Sequence, residues 1–224
     1  MKAYRDYWYK LTIVFVLGLS FWTICWGDNV LSDIQRILMC SLIALFVHQF
    51  EEYIFPGGGP VVINYANFNE RERFRNYPGN MKSSAIVNTL SQVIYLIAIL
   101  CPQIIWLGIV TMFFNLFQLL GHGIKMNKGL KTWYNPGLAS VIFLFVPISI
   151  WYFRYISIYN LANGFTWFLG IVAFLLLLLV TTILPVQILK DKNSPYSIPQ
   201  EQINKLNDVL KISSLCKDNK IELN

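Results

Sequence analysis

The stretch Ile37–Phe55, ILMCSLIALFVHQFEEYIF, decides the fold. It is long enough to cross a bilayer, because about 20 predominantly apolar residues span the hydrocarbon core. It also contains His48, Glu51 and Glu52, and a charge at the centre of such a helix costs about 2.5–3.5 kcal/mol on insertion scales. A membrane chain that keeps three ionisable groups here uses them or pairs them inside a bundle. At 100° per residue, His48, Glu51, Glu52 and Phe55 share one helix face.

The whole chain fits a membrane reading. It is 55% hydrophobic and 13% charged, where a soluble domain carries roughly 25% charged residues. The first apolar run follows Lys2, Arg5 and Lys10 and so resembles a signal peptide. Its bulky, aromatic sequence lacks a small-residue cleavage site, so it reads as a retained helix. The pattern predicts an all-α integral membrane protein with six transmembrane helices, near residues 9–26, 36–55, 84–101, 102–124, 138–155 and 165–189. Residues 1–190 form the membrane domain and 191–224 a polar tail, with an amphipathic helix over Ile198–Leu215.

Several boundaries carry a local reason. Ser32 or Asp33 caps the second helix. Pro56-Gly57-Gly58-Gly59-Pro60 ends it, since proline cannot continue a helix. Asn67–Arg73 reads as a short interfacial helix, and Pro102 divides a long apolar run into two spans. Pro136 opens the fifth span from within its first turn. The N-terminus, the 56–83 connection, a basic loop with Lys125, Lys128 and Lys131, and the tail all carry positive charge. The alternate loops do not, so both termini are expected in the cytoplasm. The net charge of +6 is a topology signal, and no basic-aromatic run suggests nucleic acid. Cys25, Cys40, Cys101 and Cys216 have no metal spacing and read as free thiols.

Three helices carry polar stripes in the cytoplasmic half. The second has His48, Glu51 and Glu52. The third has Asn88, Ser91, Gln92 and Tyr95 on one face. The fourth has Thr111, Asn115, Gln118 and His122 at i, i+4, i+7 and i+11. Lipid cannot satisfy such groups, so the stripes should face one another, with Tyr134 and Asn135 entering at the same level. A lone Asn or Gln in a membrane helix ordinarily makes an interhelical hydrogen bond. Ser91, Gln92, Tyr95, Thr111 and Gln118 read first in that way. Two adjacent carboxylates beside an imidazole exceed what packing requires. The chain has two histidines, and both lie in this layer.

These residues resemble the family named for its HXXEE motif. The matching positions are His48, Glu51 and Glu52, then Phe55-Pro56-Gly57-Gly58, the Asn115-to-His122 spacing and Tyr134-x-Pro136-Gly137. The resemblance covers roughly residues 37–155. It implies a multi-pass protein of the bacterial cytoplasmic membrane, of enzymatic character, and it names no substrate.

The residues themselves suggest three functions. In the first, the protein is a metal-dependent hydrolase or transferase acting on a lipid or prenyl-linked substrate at the cytoplasmic side. His48, Glu52 and His122 would hold Zn or Mn, with Glu51 as the base. Catalysis would draw on His48, Glu51, Glu52 and Asn115, supported by Asn88, Gln92, Gln118 and Tyr134. The second is metal-free acid/base catalysis on an isoprenoid, with Phe50, Tyr53 and Phe114 near a cationic intermediate. The third is a proton- or cation-coupled transporter. The partners implied are the bilayer and an apolar or lipid-like molecule.

Overall fold

The computed structural model describes residues 2–215. Six helices are long and apolar enough to cross a membrane: Ala3–Val30 (α1), Asp33–Tyr53 (α2), Met81–Leu100 (α3), Ile105–Leu130 (α4), Leu138–Ile158 (α5) and Gly164–Leu189 (α6). A seventh, Gln200–Ser213 (α7), follows the bundle. The chain is an all-α integral membrane bundle.

The pattern of burial identifies the central element. In α2, 61% of the apolar window is buried, against 11% in α1 and in α6. Helix α2 is therefore surrounded by protein, while α1 and α6 present Leu17, Phe21, Ile24, Phe168 and Leu175 outward. Two apolar cores lie along it. The first packs Ile37, Leu38, Leu42, Leu45 and Phe46 against Tyr95, Ile109, Phe145 and Tyr152. The second gathers Tyr53 with Trp8, Val61, Met126, Ile203 and Leu206 at the end with the long loops. His48, Glu51 and Glu52 fall between them.

Several ends differ from the sequence expectation, each for a local reason. Ser32 caps α2, and the Gln35 side-chain oxygen accepts its backbone N–H at 3.1 Å. At the other end α2 stops at Tyr53, because Gly57 and Gly58 adopt φ of 81° and 96°. Phe55 consequently leaves the His48 face and is exposed. Helix α4 begins at Ile105, beyond Pro102, and continues through Lys125 and Lys128, which are helical and do not form a loop. Pro136 precedes α5, which starts after Gly137 at φ 105°. The interfacial helix expected over Asn67–Arg73 is replaced by a short helix at Gly59–Val62 and a π-helical turn at Ile63–Asn67. There Asn64, fully buried, donates to the Phe74 and Gly79 carbonyls, each at 2.8 Å. Cys25, Cys40 and Cys101 are unbridged, and Cys216 lies outside the described residues.

The amphipathic tail helix does form, and it packs on protein. Ile203, Leu206, Val209 and Leu210 of α7 are buried in the second core. Gln202 donates to the Tyr53 carbonyl at 2.8 Å and accepts from the Gly58 N–H at 2.8 Å. One side chain therefore fills two backbone positions that the end of α2 leaves open. The far end of α7 pairs with the segment before α5, with Trp133 N–H to Ser213 O at 3.2 Å and Leu215 N–H to Lys131 O at 3.0 Å.

This seating generates a prediction. A Cβ on Gly58 would stand 2.8 Å from Leu206 Cβ and 3.0 Å from Leu206 Cα, at a left-handed φ. Gly58→Ala should therefore cost about 1–3 kcal/mol through overpacking and backbone strain. Thermal unfolding in detergent measures it, and an unchanged midpoint would mean that α7 does not rest on this turn.

Candidate metal centre

His48 and Glu52 lie one turn apart on α2, so their side chains meet on one face. His122 comes from α4, where Leu119–Met126 is π-helical. That wider turn departs from the regular spacing read along Thr111, Asn115 and Gln118, and such segments recur at functional sites. The three residues are buried and offer ligand atoms within 4.8 Å of one another, a group that could hold a metal ion. The two imidazoles stand nearly perpendicular, with centroids 5.0 Å apart.

The hydrogen bonds fix which imidazole nitrogen faces the cluster. Ser140 Oγ donates to Glu51 Oε2 at 2.6 Å, so toward His48 it can act as acceptor. His48 Nδ1 donates to it at 2.9 Å and to the Gly137 carbonyl at 3.2 Å. Asn135 spends both amide hydrogens on His122 O and Asn127 Oδ1, at 2.8 and 2.7 Å. Its Oδ1 then accepts from His122 Nδ1 at 2.7 Å. Each neutral ring therefore carries its proton on Nδ1 and turns a lone pair on Nε2 inward. Both Nε2 atoms are buried without a hydrogen-bond partner. An Nδ1–H held by a carbonyl or amide oxygen is the usual support for a metal-bound imidazole.

Glu52 Oε1 stands 3.8 Å from His48 Nε2 and 3.4 Å from His122 Nε2. Ligands bound at about 2.0–2.1 Å in a tetrahedron are separated by about 3.3 Å. The 3.4 Å spacing is close to such an edge, and the 3.8 Å spacing is about half an ångström longer.

The remaining predicted site residues divide into groups. Glu51, proposed from sequence as the base, is not in the cluster. Its Oε1 accepts from Tyr134 Oη at 2.8 Å and Ala139 N–H at 3.0 Å, and its Oε2 from Ser140 N–H at 2.8 Å as well as from the hydroxyl. About four acceptor positions exist on a carboxylate, and all are engaged, so the base role does not fit. Glu51 instead caps the start of α5. Burial, and then the Glu51 carboxylate, raise the Tyr134 hydroxyl far above its ordinary value, which keeps it a donor. Asn115 lies deeper in the bundle. It accepts from Tyr95 Oη at 2.6 Å and donates to Ser41 at 2.9 Å, clamping α2, α3 and α4. Gln92 donates to Gln49 at 2.8 Å, and Gln49 to Asn88 at 3.0 Å, in a chain between α2 and α3.

A cavity of about 610 Å³ opens beside the cluster. His48, Glu52 and His122 line it, with Asn88, Gln118 and Phe114, and α6 supplies Leu178, Thr182, Ile183 and Val186. Sequence reasoning missed Ser140, and it named Gly137 and Asn135 without the part each plays at the histidines. The signal for Gly137 was its place beside Pro136. Its true reason is spatial, since a Cβ there would meet His122 Cε1 and stand 2.8 Å from His48 Cε1.

The family described as a protein of unknown function with HXXEE motif matches residues 39–152 of the chain. No curated protein and no solved structure matches it.

The capping role of Glu51 is testable without any ligand. Glu51→Gln places an NH2 group against N–H and O–H donors, which should cost about 1–3 kcal/mol. Unfolding of the purified variant in detergent measures this. A variant as stable as the parent would show that these four bonds do not hold α5.

Proposed function

The chain belongs to the HXXEE family, and from that premise we propose that it is a membrane-embedded, metal-dependent enzyme, a hydrolase or transferase acting on a lipid-like substrate. The observation that carries this reading is the pair of buried Nε2 lone pairs converging on one carboxylate oxygen. A buried carboxylate facing lone pairs needs a cation between them. Two imidazoles and one carboxylate are also the donor set of catalytic zinc, which keeps a position open for water or substrate.

Each part of the site then has a role. His48, Glu52 and His122 hold the ion, Zn or Mn. Ser140, Gly137 and Asn135 orient the rings. The ion supplies Lewis acidity and lowers the pKa of bound water. Gln118 on the cavity wall positions the substrate, while Asn88 is held by Gln49, Tyr53 and Ser84, and the apolar residues of α4 and α6 receive the substrate's chain. The basic ends of the spans support a reading with both termini in the cytoplasm, and the cavity would then open on the cytoplasmic side of a bacterial membrane.

Elemental analysis of the detergent-purified protein tests the reading. About one Zn or Mn per chain is expected, lost in His122→Ala and in Glu52→Gln. Absence of stoichiometric metal after reconstitution would sink it and favour a proton between His122 and Glu52, the metal-free acid/base enzyme. A finer prediction concerns Asn135. Asn135→Ala keeps all three ligands and should weaken metal binding about 10–100-fold, the usual effect of losing a ligand's hydrogen-bond partner. Metal titration against a competing chelator would show it, and an unchanged affinity would remove Asn135 from the site.

A further inference from the structure

We propose that the cavity beside the cluster takes an amphiphile whose head carries a phosphate group, an inference that rests on the metal reading above. The first reason is charge. Among the described residues lining the cavity, the charged side chains besides the histidines are Glu52 and Lys125. A divalent ion and an ammonium against one carboxylate leave this wall with two uncompensated positive charges. A phosphate monoester, with about −1.5 to −2 charges and three strong acceptor oxygens, balances that excess, whereas a carboxylate head brings a single charge.

The second reason is the state of the polar groups. Lys125 sits one turn after His122 in the same π-helical segment and has no ion pair or hydrogen bond among the described residues. The Asn67 and Gln118 amides line the same space without a partner among the described residues. Thr182 Oγ1, on the α6 wall, is buried and unpartnered. An ammonium, two amides and a hydroxyl are all able to donate, which suits an acceptor-rich head. The wall also carries apolar side chains, among them Leu45, Phe114, Phe117, Leu178 and Ile183, which suit a hydrocarbon chain.

Zinc-loaded protein in nanodiscs of zwitterionic lipid provides the test, with zinc occupancy measured separately on every sample. Dodecyl phosphate is the probe, with dodecanol, dodecyltrimethylammonium and inorganic phosphate as comparators. Dodecyl phosphate is expected to bind at least about tenfold more tightly than each comparator. Lys125→Gln and Lys125→Glu should each weaken it about tenfold or more, with zinc occupancy unchanged. Dodecanol or the ammonium binding equally well would overturn the proposal, as would Lys125 variants that bind dodecyl phosphate like the parent. Inorganic phosphate binding as tightly as dodecyl phosphate would reject the amphiphile in favour of free phosphate. Loss of preference in zinc-loaded samples refutes this inference alone, while failure to load zinc refutes the metal reading.

Discussion

A carboxylate removed from water has to be met by donors or by a cation, and this chain places two adjacent ones inside a membrane bundle. It meets them in different ways. Glu51 receives two backbone N–H groups and two hydroxyls. Glu52, on the neighbouring face, looks at two imidazole lone pairs. The first arrangement is complete in itself and holds the start of α5. The second has no backbone or hydroxyl donor among the described residues, and that difference separates a structural anchor from a candidate metal ligand within one dipeptide.

The two arrangements are also connected. Ser140 donates to Glu51 and accepts from His48, so the cap that fixes α5 also sets the tautomer of a cluster imidazole. Gly137 contributes a carbonyl to the same ring and leaves space for both histidines. Asn135 performs the matching task for His122. The few residues at the entry to α5, from Asn135 to Ser140, are thus the support for the whole site.

Those residues need support of their own, because they lie in a connection between spans. Helix α7 supplies it from two directions. Gln202 closes the end of α2 just after Glu52, and the 213–215 backbone pairs with Lys131 and Trp133 just ahead of Tyr134 and Asn135. A polar tail with little apparent content in sequence is thereby packed against both sides of the site's frame.

The sequence by itself determined the six spans and the family, because apolar length and the His48-x-x-Glu51-Glu52 pattern are local properties. It also placed both histidines and both glutamates in one layer, since helical periodicity fixes the face on which each lies. The ends of α2 and α5 depended on left-handed glycines, the end of α4 on Lys131 at φ 56°, and the place of His122 on a π-helical turn, none of which periodicity reveals. The division of labour between Glu51 and Glu52 came from the tertiary structure alone. Adjacent residues have the same composition and nearly the same depth, and what distinguishes them is which donors another helix brings within 3 Å. Asn115 was likewise indistinguishable from a site residue until Tyr95 and Ser41 closed around it. Hydrogen-bond satisfaction in a low-dielectric interior is a property of the assembled bundle, so it had to be read from the fold.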